Sequence, residues 1–140
     1  MARLVELARQ RAAKGDCETE SQSGAEVCVS VKHASLNCDE AFDGESYRSC
    51  SLSISYEVST DYRGQSSLDV DVECEASIDT KKRQGFSGYE VAQDDESHTL
   101  YANDSESETM QLSYFFSGFD EVYKASVSTA SCEIDDVSLN

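Results

Sequence analysis

The chain contains no proline and no tryptophan, only two histidines, and eleven lysines and arginines against twenty-eight aspartates and glutamates. Each shortage excludes something. With His33 and His98 as the only imidazoles, a serine or cysteine nucleophile has little choice of base within hydrogen-bond reach. No G-x-S-x-G elbow is present, and Gly85-Phe86-Ser87-Gly88 lacks its final spacing. Phosphate-binding glycine loops are absent too. A formal net charge of −17 repels phosphate backbones and anionic lipid, so nucleic acid is not an expected partner. No apolar run approaches the roughly 18 residues of a membrane span, and no membrane insertion is expected of this chain. The missing proline has no evident physical cause in a chain with so many turns.

Six cysteines are present, and no two lie closer than ten positions. That spacing rules out the C-x-x-C pairs with which zinc ribbons and thioredoxin-type sites converge on one ion or one disulfide. An even number of scattered cysteines instead fits three disulfides in an oxidising compartment. Sequence does not choose among the pairings. The expected set is Cys74–Cys132 across the core, Cys38–Cys50 closing an acidic loop, and Cys17–Cys28 tying the N-terminal region to the first long strand.

The run Leu68-Asp-Val-Asp-Val-Glu-Cys-Glu-Ala-Ser-Ile-Asp79 carries the strongest pattern. Leu68, Val70, Val72, Cys74, Ala76 and Ile78 take every second position, and Asp69, Asp71, Glu73, Glu75, Ser77 and Asp79 fill the gaps. Period two is the signature of a strand with one dry and one wet face. It predicts a half-buried antiparallel sheet with an acidic outer surface.

Three regions follow. Residues 1–15 read as a short N-terminal α-helix, rich in Ala, Leu, Arg and Glu, with Leu4, Leu7, Ala8 and Arg11 on one stripe and a stop at Gly15. Residues 16–25 read as a polar linker. Residues 26–140 read as strands: Glu26 to Lys32, Cys50 to Thr60, the acidic strand, Tyr89 to Ala92, His98 to Ala102, Thr109 to Phe116, and a final strand from Val122 to Ile134. Between Val127 and Cys132 the parity slips, so a bulge is expected there. Asn37 to Ser49 reads as a loop turning at Asp43-Gly44, and Asp94-Asp95-Glu96 as an acidic turn.

About seven strands in a chain of this length predict one mainly β domain, a single antiparallel β-sandwich. Its architecture resembles that of immunoglobulin-like domains. The resemblance covers no motif: no tryptophan stands ready to pack on a core disulfide, and Ala130 holds the position, two before Cys132, where a tyrosine corner would have its ring.

Weak calcium candidates are Asp39, Asp43 and Glu45, since calcium takes several clustered oxygens. They lack the D-x-D-x-D-G register, and a solvated loop is the preferred reading; no metal or other cofactor is expected. Asn103-Asp104-Ser105 is a glycosylation sequon. Tyr114, Phe115, Phe116 and Phe119 form an aromatic cluster whose preferred reading is core and edge packing. In residues 1–14, Arg3, Arg9, Arg11 and Lys14 stand against Glu6 alone, a balance of +3 that leaves −20 on the rest. Leu4, Leu7, Arg9 and Arg11 are therefore candidate assembly residues: a cationic helix can reach a neighbour's acidic face.

The function expected from sequence is a non-enzymatic structural or interaction module, acidic and disulfide-stabilised, with a protein partner or self-association. Its expected location is secreted, periplasmic or cell-surface. Residues 1–15 are charged throughout and lack the apolar stretch of a secretory leader, so an exported form is expected to have lost one. A pilin-like or other filament subunit, similar only in its helix-then-sheet layout, is the alternative. A calcium-dependent carbohydrate- or protein-binding domain is a further one.

Overall fold

The structure, a computed structural model, describes residues 16–41, 44–83, 85–116 and 121–140. Seven strands run in chain order: β1 (Asp16–Thr19), β2 (Glu26–Glu40), β3 (Tyr47–Thr60), β4 (Leu68–Lys82), β5 (Ser87–Leu100), β6 (Ser105–Phe115) and β7 (Val122–Leu139). They form two antiparallel sheets, β1-β2-β3-β6 and β5-β4-β7. No helix occurs among the described residues, and the helix expected over 1–15 lies outside them.

The alternation of β4 becomes the centre of the three-stranded sheet. Leu68, Val70, Val72, Cys74, Ala76 and Ile78 are fully buried. The intervening acids stay at the outer face because a carboxylate cannot be buried unpaired without a large desolvation cost. Opposite them, β3 contributes Leu52, Ile54, Tyr56 and Val58, and β6 contributes Met110, Leu112 and Tyr114. These side chains form one hydrophobic cluster, so the two sheets face each other across a shared core.

Three readings change. Residues 16–25 are not merely a linker: Asp16–Thr19 pairs with β2, a strand too short for alternation to reveal. The segment Asn37–Ser49 is mostly strand, not loop. β2 continues to Glu40 because its register shifts between Val31 and His33; one extra residue, Lys32, transfers the inward row from Val27, Val29 and Val31 to Ala34, Leu36 and Cys38. A parity change in mid-strand reads as a strand end when only sequence is available. Third, the strand order differs from the A-B-E-D and C-F-G sheets of an immunoglobulin domain, because β2 and β3 pair as one long hairpin. The slip in β7 is present: Ser77 faces Thr129 while Ile78 faces Val127, which leaves Ser128 as the extra residue.

Candidate functional site

All six cysteines are in disulfides: Cys17–Cys28, Cys38–Cys50 and Cys74–Cys132. Each joins residues directly opposed on neighbouring strands, with Cα–Cα distances of 4.1, 4.0 and 4.0 Å. Cys50 and Cys74 are buried, and Cys38 and Cys132 pack on the core beside them. Cys28 follows the opposite parity of β2, so its bridge to Cys17 lies on the outer face. No free thiol remains, and three such bonds match an oxidising, extracellular-type environment.

The calcium candidates do not converge among the described residues. Asp39 lies on β2 opposite Ser49, Asp43 is outside the described residues, and Glu45 accepts a 2.7 Å bond from Arg83 Nη2. The one close grouping of metal-ligand types among the described residues is Cys17, Glu26 and Cys28, and its two sulfurs are consumed by a disulfide. The acidic run expected to turn is strand instead. Asp94, Asp95 and Glu96 lie within β5, held in unbroken register against Cys74, Glu73 and Val72.

β5 also carries the group that sequence sets at the start of a short separate strand. His98 is buried, 8% exposed. Its Nε2 lies 2.6 Å from the Tyr56 hydroxyl and its Nδ1 3.1 Å from Glu106 Oε2. The Tyr56 and His98 rings meet edge-on at 5.7 Å. Tyr56 comes from β3, His98 from β5 and Glu106 from β6, so this chain of hydrogen bonds crosses between the sheets. Burial, reinforced by Glu96, Glu108 and Glu106, pushes the Tyr56 hydroxyl well above its ordinary value. It therefore stays protonated, and both ring nitrogens of His98 are engaged. A second crossing is made where Tyr114 Oη donates to the Ala76 carbonyl at 2.8 Å.

The outer face of the β5-β4-β7 sheet is a field of carboxylates. Desolvation and the neighbouring Asp135, Glu133, Glu75 and Asp95 raise the Glu73 carboxyl above its usual range. The serines and threonines between them share the charge: Ser97 donates to Asp71, and Thr99 to Asp69 at 3.2 Å.

One end of the molecule differs from the rest. Arg83, after β4, bridges Glu45 of the β2–β3 connection and Glu121, 3.6 Å away, just before β7. The register brings Lys81 and Lys82 opposite Lys124 and Val122, and Arg48 sits at the start of β3 beside the end of β6. Five of the seven cations after residue 15 (Arg48, Lys81, Lys82, Arg83 and Lys124) thus gather here. Toward this end also lie Phe86 in the β4–β5 connection, Tyr89 opposite Asp79 and Phe115 opposite Ser49, three of the five exposed large apolar residues among the described ones, the last 82% exposed. The aromatic cluster is split accordingly. Tyr114 is buried, Phe116 packs on the core, Phe115 points outward, and Phe119 lies outside the described residues. Alternation through Met110, Leu112 and Tyr114 already places Phe115 on the wet face; that signal was legible. The assembly candidates Leu4, Leu7, Arg9 and Arg11 lie outside the described residues.

No protein-family model matches the chain, and no curated protein matches it. A search of solved structures returns the X-ray structure of a Northeast Structural Genomics Consortium target, 13% identical, covering 76% of this chain and 84% of that one with a TM-score of 0.24. That likeness is too distant to bear on fold or function.

Proposed function

We propose that this chain is a non-enzymatic, extracytoplasmic interaction module: a disulfide-braced β-sandwich that meets a protein partner through the end organised by Arg83. The observation that carries this reading is that Phe86, Tyr89 and Phe115 lie toward the same end of an acidic body as Arg48, Lys81, Lys82, Arg83 and Lys124. Exposed apolar side chains scattered singly need no explanation, whereas several beside cations mark a contact surface. The partner such a surface fits carries carboxylates beside apolar residues, and the acidic faces of a second copy meet that description. The non-enzymatic reading is supported by the chemistry at hand: the thiols are oxidised, and His98 is buried with both nitrogens bonded.

The test is a triple substitution of exposed side chains, Phe86→Ser, Tyr89→Ser and Phe115→Ser, with mass measured by light scattering on material from the native source. The unaltered chain should elute above its 15.4 kDa monomer mass, and the variant should return to it with its fold intact. A native chain that is monomeric and unpartnered, or a variant that retains its partner, overturns the reading.

A further inference from the structure

The four-stranded sheet is unevenly closed along its β1 side. β1 pairs with β2 only from Glu26 to Val29. From Ser30 to Glu40, β2 has β3 on one side and no strand on the other among the described residues. Burial follows that boundary. Val27 and Val29, flanked by β1, are 0% and 1% exposed. Val31, Ala34, Leu36 and Cys38 continue the same inward row and are only partly buried.

The opposite wall of this strip is β7, where Val127 and Cys132 are likewise only partly buried against the core. β1 already spans the gap at one end, since Asp16 Oδ2 accepts the Ile134 N–H at 2.8 Å. The antiparallel pairing of Asp16 with Val29 puts the first described residue of β1 next to the start of the open stretch at Ser30. The chain before Asp16 therefore starts at the mouth of the strip.

The open edge also presents backbone groups. Cys38 and Cys50 face each other at a Cα–Cα distance of 4.0 Å, the narrow kind of antiparallel pair, whose own N–H and C=O point away from the partner strand. The register is continuous from His33 to Asp39, so Ala34, Leu36 and Cys38 all direct these groups outward from β3. Backbone groups with no partner strand among the described residues, beside partly exposed apolar side chains, form an edge that natural sheets cover or block.

We infer that this strip between β2 and β7 is the seat of the chain's own residues 1–15, with Leu4 and Leu7 set against Val31, Leu36 and Val127. Fifteen residues reach about 50 Å when extended, and the eleven open residues of β2 span about 36 Å, so length is sufficient. Charge selects this occupant over another. Residues 1–14 carry +3 and the rest of the chain −20. Edge-to-edge pairing of two bodies would set like charge on like, whereas the basic segment is attracted. Tethering beside the strip gives the chain's own segment a local concentration that a second copy matches only at high protein concentration. This inference is independent of the contact surface proposed above, which lies at the end of the molecule.

The experiment is nuclear magnetic resonance on the full chain, reading methyl–methyl nuclear Overhauser effects. Contacts are expected from Leu4 and Leu7 to Val31, Leu36 and Val127. Charge reversal of Arg9 and Arg11 to glutamate should weaken them while leaving the contacts among Val27, Val29 and Val58 unchanged. Absence of the expected contacts overturns the assignment, as does their insensitivity to charge reversal. Isotope-filtered spectra of mixed labelled and unlabelled chains separate the remaining case. Contacts seen only between chains would give the seat to a second copy's segment and overturn the own-chain assignment.

Discussion

The Tyr56 hydroxyl on β3 and Nε2 of His98 on β5 lie 2.6 Å apart in the core between two sheets that share no backbone ladder. Side chains alone hold the layers in register at this point. Replacing Tyr56 with phenylalanine keeps the ring and its burial but strips His98 of its Nε2 partner. A buried nitrogen without a partner costs about 1–3 kcal/mol. Tyr56→Phe should lower stability by that amount in urea titration without altering the far-ultraviolet spectrum. A change below the measurement error would mean that His98 finds another partner.

The disulfides should contribute unequally. Cys74–Cys132 closes a separation of 58 residues, and the other two close 11 and 12. Chain entropy assigns about 4 kcal/mol to the long loop and about 3 kcal/mol to each short one. Double alanine variants, compared by denaturant midpoint, should therefore rank Cys74/Cys132 as the costliest. Its position inside the core adds a cavity term in the same direction. An equal or reversed ranking would show that the entropy argument fails here.

Stability should pass through a maximum on the acid side of neutrality. The Glu73 carboxyl is raised by desolvation first and then by neighbouring carboxylates. Such a group favours the folded state when protonated, and the benefit is lost as pH rises through its folded value. Glu20 behaves oppositely. Its carboxylate accepts the Gln22 and Ser23 N–H groups at 2.9 and 2.7 Å, and these bonds, that of Gln22 foremost, hold it below the usual range. Its contribution is present above the unfolded value and disappears as pH falls through the folded one. Unfolding midpoints measured across this range should rise as pH drops and then fall. Glu73→Gln should flatten the first limb and Glu20→Gln the second. At the alkaline end, burial and the neighbouring Glu90 and Tyr89 push Tyr114 up to about 12, and Tyr56 rises as well. Two of the seven tyrosines should therefore titrate late in the ultraviolet, as the protein unfolds.

Deleting Lys32 should disconnect Cys38 from Cys50. The residue is the one extra position that turns Ala34, Leu36 and Cys38 inward. Without it a period-two strand sends that row to the solvent face. Non-reducing peptide mapping should then find Cys38 and Cys50 unpaired, with Cys17–Cys28 retained. An intact Cys38–Cys50 bridge would show that the strand recovers its register elsewhere.

That same residue explains what sequence disclosed and what it hid. Where alternation runs unbroken, as in Leu68 to Ile78 and Met110 to Tyr114, the buried face could be read residue by residue. The slip ahead of Cys132 could be read as a bulge because apolar residues stand on both sides of it. Lys32 also has rows on both sides, Val27, Val29 and Val31 before it and Ala34, Leu36 and Cys38 after it, but the second row is short and weakly apolar and reads as loop. β5 was hidden for another reason. It forms the border of its sheet, and its inward row includes Glu90, Asp94 and Glu96 beside Ala92 and His98. Partial exposure at that border lets carboxylates occupy core-facing positions, a device that also discourages pairing with further strands. The contact of His98 with Tyr56 links positions 42 apart through the third dimension, and no local pattern encodes it.

The arrangement of the bridges divides the polypeptide into two covalent units. Cys17–Cys28 spans the β1–β2 connection, Cys38–Cys50 the β2–β3 connection, and Cys74–Cys132 every connection from β4 to β7. Only the passage from Thr60 to Leu68 is enclosed by none. Its backbone is steadied by non-covalent means: Ser66 N–H donates to the Tyr62 hydroxyl at 3.2 Å, and Gly64 lies so close to the Tyr62 side chain that an added Cβ would fall 2.2 Å from that oxygen. Arg63 in that passage is exposed and offers a cleavage site to trypsin. A protease that cuts there releases two fragments on denaturation without any reductant. A cut in any other described connection leaves the pieces tethered, so for this molecule durability in a proteolytic environment comes down to one short turn.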